Sequence, residues 1–446
     1  MLPEREREME PRHARERPRP LRGRAVRVER GRPEQPPPAP PTWRQAIGQL
    51  GPGLISGASA LDPTLAIVGA TIGYRLLWLV VLLLPMMVAV QVISARVGMA
   101  AERRLETAIR DRFGGGWALA AMILVVSVNL LTVAADLEGG AAALELLTGL
   151  PWRWFVLPLA LATAGLLLLG GYYGMQRVLR YVIVVFGAYV VAGILVQPDW
   201  GTVLYHTLVP ELSTEPLYLA GAVALLGTTL TSYVYLWETI EVHEERRPRE
   251  QLWLVELDAA IGIAAAVVLF AFIIITTAAT LWVAGQPVQT ADDAARALVP
   301  AAGPLAGLLF ALGLLAGALL ALPVLASTTA YVLADLFRWN VGLGTAAAEA
   351  RPFYLVLLGI LAVGVAIAYA GIEPFQLLFL ASLAGGVGTP VLLALLILVA
   401  QDREIMQGQQ IDRPLSAIGW LTTAIIGSAA IAFLVQQATG MFGAWI

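Results

Sequence analysis

The sequence predicts an all-α integral membrane protein of eleven transmembrane helices, arranged as a 5+5 inverted repeat with broken helices 1 and 6 and one extra helix. Three observations carry that expectation. First, the 446 residues are 58% hydrophobic and 14% charged, with a mean hydropathy of +0.74. Soluble domains carry about 25% charged residues, so soluble enzymes and nucleic-acid binders are excluded. Second, from residue 46 onward there recur apolar runs long enough to cross a hydrocarbon core of about 30 Å. Third, two of those runs, five apart in the chain, are interrupted in mid-span by Gly, Pro or hydroxyl residues.

Taken in order, residues 1–42 are rich in Arg, Glu and Pro and have hardly any apolar side chain to bury. They are expected to be a disordered cytoplasmic tail without the apolar core of an export signal. Glu interleaved with the Arg favours a solvated arm over a basic segment on anionic lipid. The membrane domain then occupies 43–446, with apolar runs at 46–73, 76–99, 117–148, 154–171, 179–197, 217–240, 253–283, 304–336, 352–371, 375–400 and 415–437. The polar stretches 101–112 and 290–299 are expected at the membrane interface. All 29 basic residues are Arg and there is no Cys, so disulfides, thiolate metal sites and iron–sulfur clusters are excluded.

Arg placement orients the chain. With the tail inside, the inner loops hold fourteen Arg: 96, 103, 104, 110, 112, 177, 180, 246, 247, 249, 338, 351, 403 and 413. The outer loops hold three, Arg75, Arg153 and Arg296. The N-terminus is therefore expected in the cytoplasm and the C-terminus outside, in the cell (inner) membrane.

Backbone in a membrane helix can be left unpaired only where it lines a cavity or binds a ligand. The first interruption runs from Gly51 through Ser59, Asp62 and Pro63 to Thr64. Pro63 cannot donate to the helical ladder and releases carbonyls near Ser59, while Asp62 places an acid at membrane depth. The second, Gly227-Thr228-Thr229-Leu230-Thr231-Ser232-Tyr233, is a run of hydroxyls without proline. Two units follow, one of about 46–197 and one of about 217–400, each opening on an interrupted helix, with the extra helix at about 415–437. That is the pattern of a leucine-transporter-type secondary transporter, in which substrate sits between the broken helices and alternating access exposes it to either side.

The candidate ion-binding residues are therefore Asp62, Thr64, Thr228, Thr231, Ser232 and Tyr233. The competing readings are a protonated Asp62 capping the broken helix and hydroxyls bonded to their own backbone. Glu238 and Glu241, three apart on one helical face, are candidates for an inward exit path. Glu244 and Glu245 read equally well as a solvated helix end beside Arg246, Arg247 and Arg249. Glu256 and Asp258, near the cytoplasmic end of the seventh span, are expected to be solvated. No HExxH pattern of an intramembrane metalloprotease is present.

Several segments resemble the Nramp (natural resistance-associated macrophage protein) divalent-metal transporters. GPGLISGASALDPT followed by IGYRLLW resembles the family's first-helix signature, VNLLTVAADLEGGAAALELL its third helix and GTTLTSYVYLWETIEVHEE its sixth. LFALGLLAGALLALPVLASTTAYVLADLF resembles the eighth, and LASLAGGVGTP with QDREIM and GWLTTA the tenth and eleventh. The details are nearer to the Nramp-related branch that includes magnesium transporters. In the manganese and iron importers the first-helix motif is Asp-Pro-Gly-Asn and the sixth helix holds Met-Pro-His. Here Asp62 and Pro63 match, Thr64 and Leu65 stand for Gly and Asn, and Thr231, Ser232 and Tyr233 stand for Met, Pro and His. The segment from Asp62 to Gly73-Tyr74 is also about one helical turn shorter than the family pattern.

The resemblance implies a transporter whose only bound metal is the divalent cation it moves, with no cofactor. Asp62 and Thr231 would be the metal ligands, and the lost thioether on the sixth helix favours hydrated Mg²⁺, with Mn²⁺ second. Asp136 matches an acid used in proton movement, with Glu138 beside it, so both are possible proton-relay residues. The partners implied are the lipid bilayer, the divalent cation and H⁺, with no nucleic acid and a monomeric transport unit. The alternatives are a degenerate metal site that carries a non-metal substrate, and a non-transporting membrane sensor or scaffold.

Overall fold

The computed structural model describes residues 52–61, 64–101, 104–245, 248–283, 304–339, 342–372 and 374–438. The tail 1–42, the pair Asp62 and Pro63, and the polar stretch 290–299 lie outside the described residues.

Among the described residues all regular structure is helical, and nine continuous stretches are long and apolar enough to cross a membrane. Two of them turn partway at a left-handed glycine. Thr64–Ala100 turns at Gly73, φ 70°, where a Cβ would also lie 3.0 Å from the Trp282 indole nitrogen. Arg153–Leu195 turns at Gly171, φ 57° and ψ −164°. The loop expected over 172–178 is therefore helix, with the reversal confined to that glycine.

Counted this way, the described residues form eleven spans. The first consists of Pro52–Ser59 and Thr64–Ile72, and the second is Leu77–Ala100. Gly115–Thr148, 153–170 and 172–195 follow. The sixth consists of Pro216–Thr229 and Ser232–Glu245, and the seventh is Leu252–Thr277, continued by a wide turn to Trp282. Pro304–Phe337, Arg351–Ala368, Pro374–Gln401 and Arg413–Ala438 complete the set. Large apolar side chains such as Leu161, Leu169, Val184, Leu355 and Leu421 are exposed along these spans, as lipid-facing positions should be.

Small residues let the central spans touch backbone to backbone. A Cβ on Gly262 of the seventh span would sit 2.0 Å from the Gly53 carbonyl oxygen in the N-terminal half of the first. A Cβ on Gly227 of the sixth would sit 2.0 Å from the Ser382 carbonyl oxygen of the tenth. These two approaches bring both interrupted helices into the centre of the molecule.

Of the two polar stretches expected at the interface, 101–112 is largely the helix Leu105–Phe113, which buries Leu105, Glu106, Ala108 and Ile109. It docks on the C-terminal end of the eighth span: the Thr107 backbone N–H and hydroxyl donate to Asp335 Oδ2 at 2.8 and 2.7 Å. Across the membrane, Arg75 Nε donates to Glu211 at 2.6 Å and Nη1 to Glu215 at 2.9 Å, tying the turn after the first span to the start of the sixth.

Candidate cation site

The N-terminal half of the first span ends in a tightened turn, with the Ala60 and Leu61 N–H groups bonded to the carbonyls of Gly57 and Ala58. Where Pro63 was expected to release carbonyls near Ser59, the Ser59 carbonyl accepts a 2.6 Å hydrogen bond from the Tyr233 hydroxyl of the sixth span. Beyond the break, Thr64 Oγ1 shares a 2.8 Å bond with Ser382 Oγ of the tenth span. Asp62, the candidate source of charge, lies outside the described residues.

The sixth span breaks at Leu230 and Thr231 without a proline. Thr229 Oγ1 bonds back to the Leu225 carbonyl at 2.7 Å, one of the local bonds that compete with a continuous helix. Thr389 Oγ1 of the tenth span donates to the Leu230 carbonyl at 3.1 Å, so a neighbouring span satisfies the interrupted backbone. The Thr228 and Ser232 hydroxyls are buried there with no hydrogen-bond partner, and Thr231 is buried beside them. A buried hydroxyl left unmet costs about 1–3 kcal/mol, which a bound ion or water would recover.

Of the six candidate ion-binding residues, the structure thus brings Thr64, Thr228, Thr231, Ser232 and Tyr233 to the breaks and the tenth span facing them. Sequence reasoning missed a further set of buried polar residues on the third and eighth spans. Asn129 Nδ2 of the third span donates to Thr329 Oγ1 of the eighth at 2.9 Å, while Asn129 Oδ1 and the Ser327 and Thr328 hydroxyls have no hydrogen-bond partner. The run Ser327-Thr328-Thr329 inside an apolar span was the available signal, of the same kind as the hydroxyl run in the sixth.

Beyond the break the sixth span carries buried acids toward its C-terminal end. Glu238 accepts from Gln91 Nε2 of the second span at 2.7 Å. Glu241 accepts from Gln176 Nε2 of the fifth at 2.8 Å and from the Ser56 hydroxyl of the first at 3.0 Å. Asp258, expected to be solvated, is instead buried, and its carboxylate accepts from the Gly53 N–H at 3.1 Å; the close packing at Gly262 carries it inward. Glu256 pairs with Arg96, and Glu244 with Arg104 at 3.4 Å. Asp136 and Glu138 are both buried on the third span.

Among the described residues, every buried charged side chain is an acid: Glu106, Asp136, Glu138, Glu238, Glu241 and Asp258. Arg104 pulls on Glu106, while the partners of Glu238 and Glu241 named above are neutral amides and a hydroxyl. Such an interior favours cations. Still, among the described residues no three His, Cys, Asp or Glu side chains converge on one point.

This architecture is that of a membrane transporter with two interrupted helices, and comparison with known proteins places it further. Residues 46–436 match the family model described as natural resistance-associated macrophage protein-like, and the chain belongs to the Nramp family. The divalent metal cation transporter MntH of Deinococcus radiodurans is 29% identical over 404 residues, covering 86% of this chain and 88% of the relative. Among solved structures, the Eremococcus coleocola manganese transporter, bound to an aromatic bis-isothiourea substituted compound, superposes with a TM-score of 0.75 at 20% identity. That match covers 92% of this chain and 91% of the other. Mhp1, a nucleobase-cation-symport-1 family transporter, matches with a TM-score of 0.59 at 17% identity over 88% of this chain and 91% of its own. At these identities the structural likenesses speak for the fold alone, which is the leucine-transporter-type inverted repeat of five and five spans with one more helix.

Proposed function

We propose that this protein moves a divalent metal cation across the cell membrane by alternating access, with Mn²⁺ as its preferred substrate. One observation carries the reading: two buried acids of the interrupted sixth span, Glu238 and Glu241, are met by the neutral amides of Gln91 and Gln176 and the Ser56 hydroxyl. The relatives support it, since a curated one is named a divalent metal cation transporter and a solved one a manganese transporter.

In this account Asp62 supplies the central charge, and Thr231 with neighbouring hydroxyls and carbonyls supplies the remaining ligands. Glu238 and Glu241 line the way to the cytoplasm, and Asp136 with Glu138 relays protons when transport is coupled to them. The repeats occupy about 46–197 and 217–400. The tail and the Arg-rich loops face the cytoplasm, and one chain is a complete transport unit. The cation is the substrate, and no cofactor takes part. Mg²⁺ is the second reading, favoured by the unmet hydroxyls of Thr228 and Ser232, because a hard ion that keeps its water suits neutral oxygen donors.

Calorimetric titration of the purified protein with MnCl₂ and MgCl₂ tests the assignment. Saturable Mn²⁺ binding that disappears in a folded Asp62→Ala variant supports it. Binding that survives in the variant sinks the role of Asp62, and tighter Mg²⁺ than Mn²⁺ binding would move the assignment to the second reading.

A further inference from the structure

An open recess of about 350 Å³ lies between the end of the tenth span and the start of the eleventh, many times the room one water needs. Gln401, Gln410, Ile411, Arg413, Ser416 and Ala417 line it. The loop that frames it is held in place: the Ile411 N–H donates to the Ala400 carbonyl at 3.2 Å, and the Gln410 carbonyl accepts from Arg96 Nη1 at 3.3 Å. The wall is rich in donors and has no acid. Gln401 Nε2 donates to Ser416 Oγ at 2.5 Å, which leaves the serine proton for an occupant, and Gln410 adds a second amide. Asp402 is paired with Arg112 and Glu256 with Arg96, while Glu404 and Asp412, both exposed, are not on the wall. Among the described residues no carboxylate lies within ion-pair distance of Arg413. A guanidinium beside a hydroxyl and amides is a donor set for an oxyanion, and phosphate is one that Arg meets with two parallel hydrogen bonds.

The surface that continues from the recess says which phosphate. Arg413, Ala417 and Leu421 are four apart on one face of the eleventh span, and Trp420 lies one turn beyond Ser416. Leu421 is 57% exposed and Trp420 37%, on a helix long and apolar enough to cross a membrane. The charged donor set therefore opens directly onto apolar surface suited to an acyl chain. Arg96, Arg112 and Arg249 all reach the loop that frames the recess, and a cluster of Arg at a membrane surface draws anionic lipid. We infer that this recess binds an anionic phospholipid, with its phosphodiester on Arg413, Ser416 and Gln410 and an acyl chain along Ala417 and Leu421. A phosphocholine head group brings its own cation and gains less from Arg413, and a free phosphate gains nothing from the apolar face. The bound lipid also braces the eleventh span against the tenth, whose Ser382 and Thr389 meet the two interrupted helices. The inference depends on the chain lying in a membrane and not on which substrate it moves.

Native mass spectrometry of the purified full-length protein, with phosphatidylglycerol or phosphatidylcholine added to the detergent, tests the site. One phosphatidylglycerol per chain is expected to bind about tenfold more tightly than phosphatidylcholine. Arg413→Gln should erase that preference, and so should Ala417→Glu, which sets a carboxylate at an exposed position on the wall. Arg403→Gln removes an exposed Arg of the same loop outside the recess and should bind like the wild type. Equal binding of the two lipids, a wild-type preference in Arg413→Gln, or the same loss in Arg403→Gln overturns the site. Displacement of the lipid by millimolar inorganic phosphate also overturns it, and would make the ligand a soluble phosphate.

Discussion

Tyr233 and Glu238, one on each side of the Tyr235 turn, do different work on the same helix. The Tyr233 hydroxyl closes the gap between the interrupted helices through the Ser59 carbonyl, so Tyr233→Phe strands a buried acceptor. The expected loss is about 1 kcal/mol of stability, read as a lower unfolding temperature in detergent. An unchanged melt would mean that water satisfies that carbonyl. Glu238 is held by an amide and not by a base, so its charge remains available to a passing cation. Glu238→Gln keeps the shape and removes the charge, and should cut cation flux at least about tenfold while the protein still folds. Flux at the wild-type rate would remove Glu238 from the path. The burial of Thr231, Glu238 and Glu241 within the sixth span was legible in the sequence because acids and hydroxyl runs are conspicuous in apolar spans. Gln91 and Gln176 were not, because pairing across spans depends on packing that residue spacing does not encode.

Close approach and docking decide the behaviour of whole elements. The sixth span lies so near the tenth that Gly227→Val would drive a side chain into the Ser382 carbonyl. Overpacking of this kind costs about 1–3 kcal/mol or more, and the folded yield from a size-exclusion profile should fall. A normal yield would show that these two spans can separate. The helix Leu105–Phe113 carries a pH-sensitive contact: Glu106 is pushed up to about 7, first by burial and then by the Asp335 carboxylate, against the pull of Arg104. A carboxyl with a raised folded-state pKa stabilises docking fully at low pH and loses that contribution as pH rises through about 7. Amide hydrogen exchange over 105–113, corrected for intrinsic rate, should be faster at pH 8 than at pH 6, and Glu106→Gln should flatten the difference. Slower exchange at pH 8 would contradict the sign. The break in the sixth span was legible from its hydroxyl run alone. The turn at Gly171 was not, because its neighbours Gly170, Tyr172, Tyr173 and Gly174 read as a longer loop until a single left-handed glycine is seen to reverse the chain.

Across the whole molecule, the eleven spans followed from run length, because hydrocarbon thickness sets how many apolar residues a crossing needs. The centre was placed by the two interruptions, because lipid tolerates broken helix only where protein or ligand meets the backbone. What stayed hidden was the inward turn of Asp258, which depends on the backbone contact between Gly53 and Gly262 and on no local pattern. The cysteine-free chain also makes orientation testable with single introduced thiols. Ser213→Cys should react with a membrane-impermeant maleimide on intact cells, and Gln407→Cys only after lysis; the reverse pattern would invert the topology. The central claim, that an acidic interior around two interrupted helices conducts a divalent metal ion, is met most directly by ⁵⁴Mn²⁺ uptake into proteoliposomes. Saturable uptake above empty liposomes, abolished by Asp62→Ala, is the predicted result. Well-folded wild-type protein that admits neither Mn²⁺ nor Mg²⁺ would contradict it.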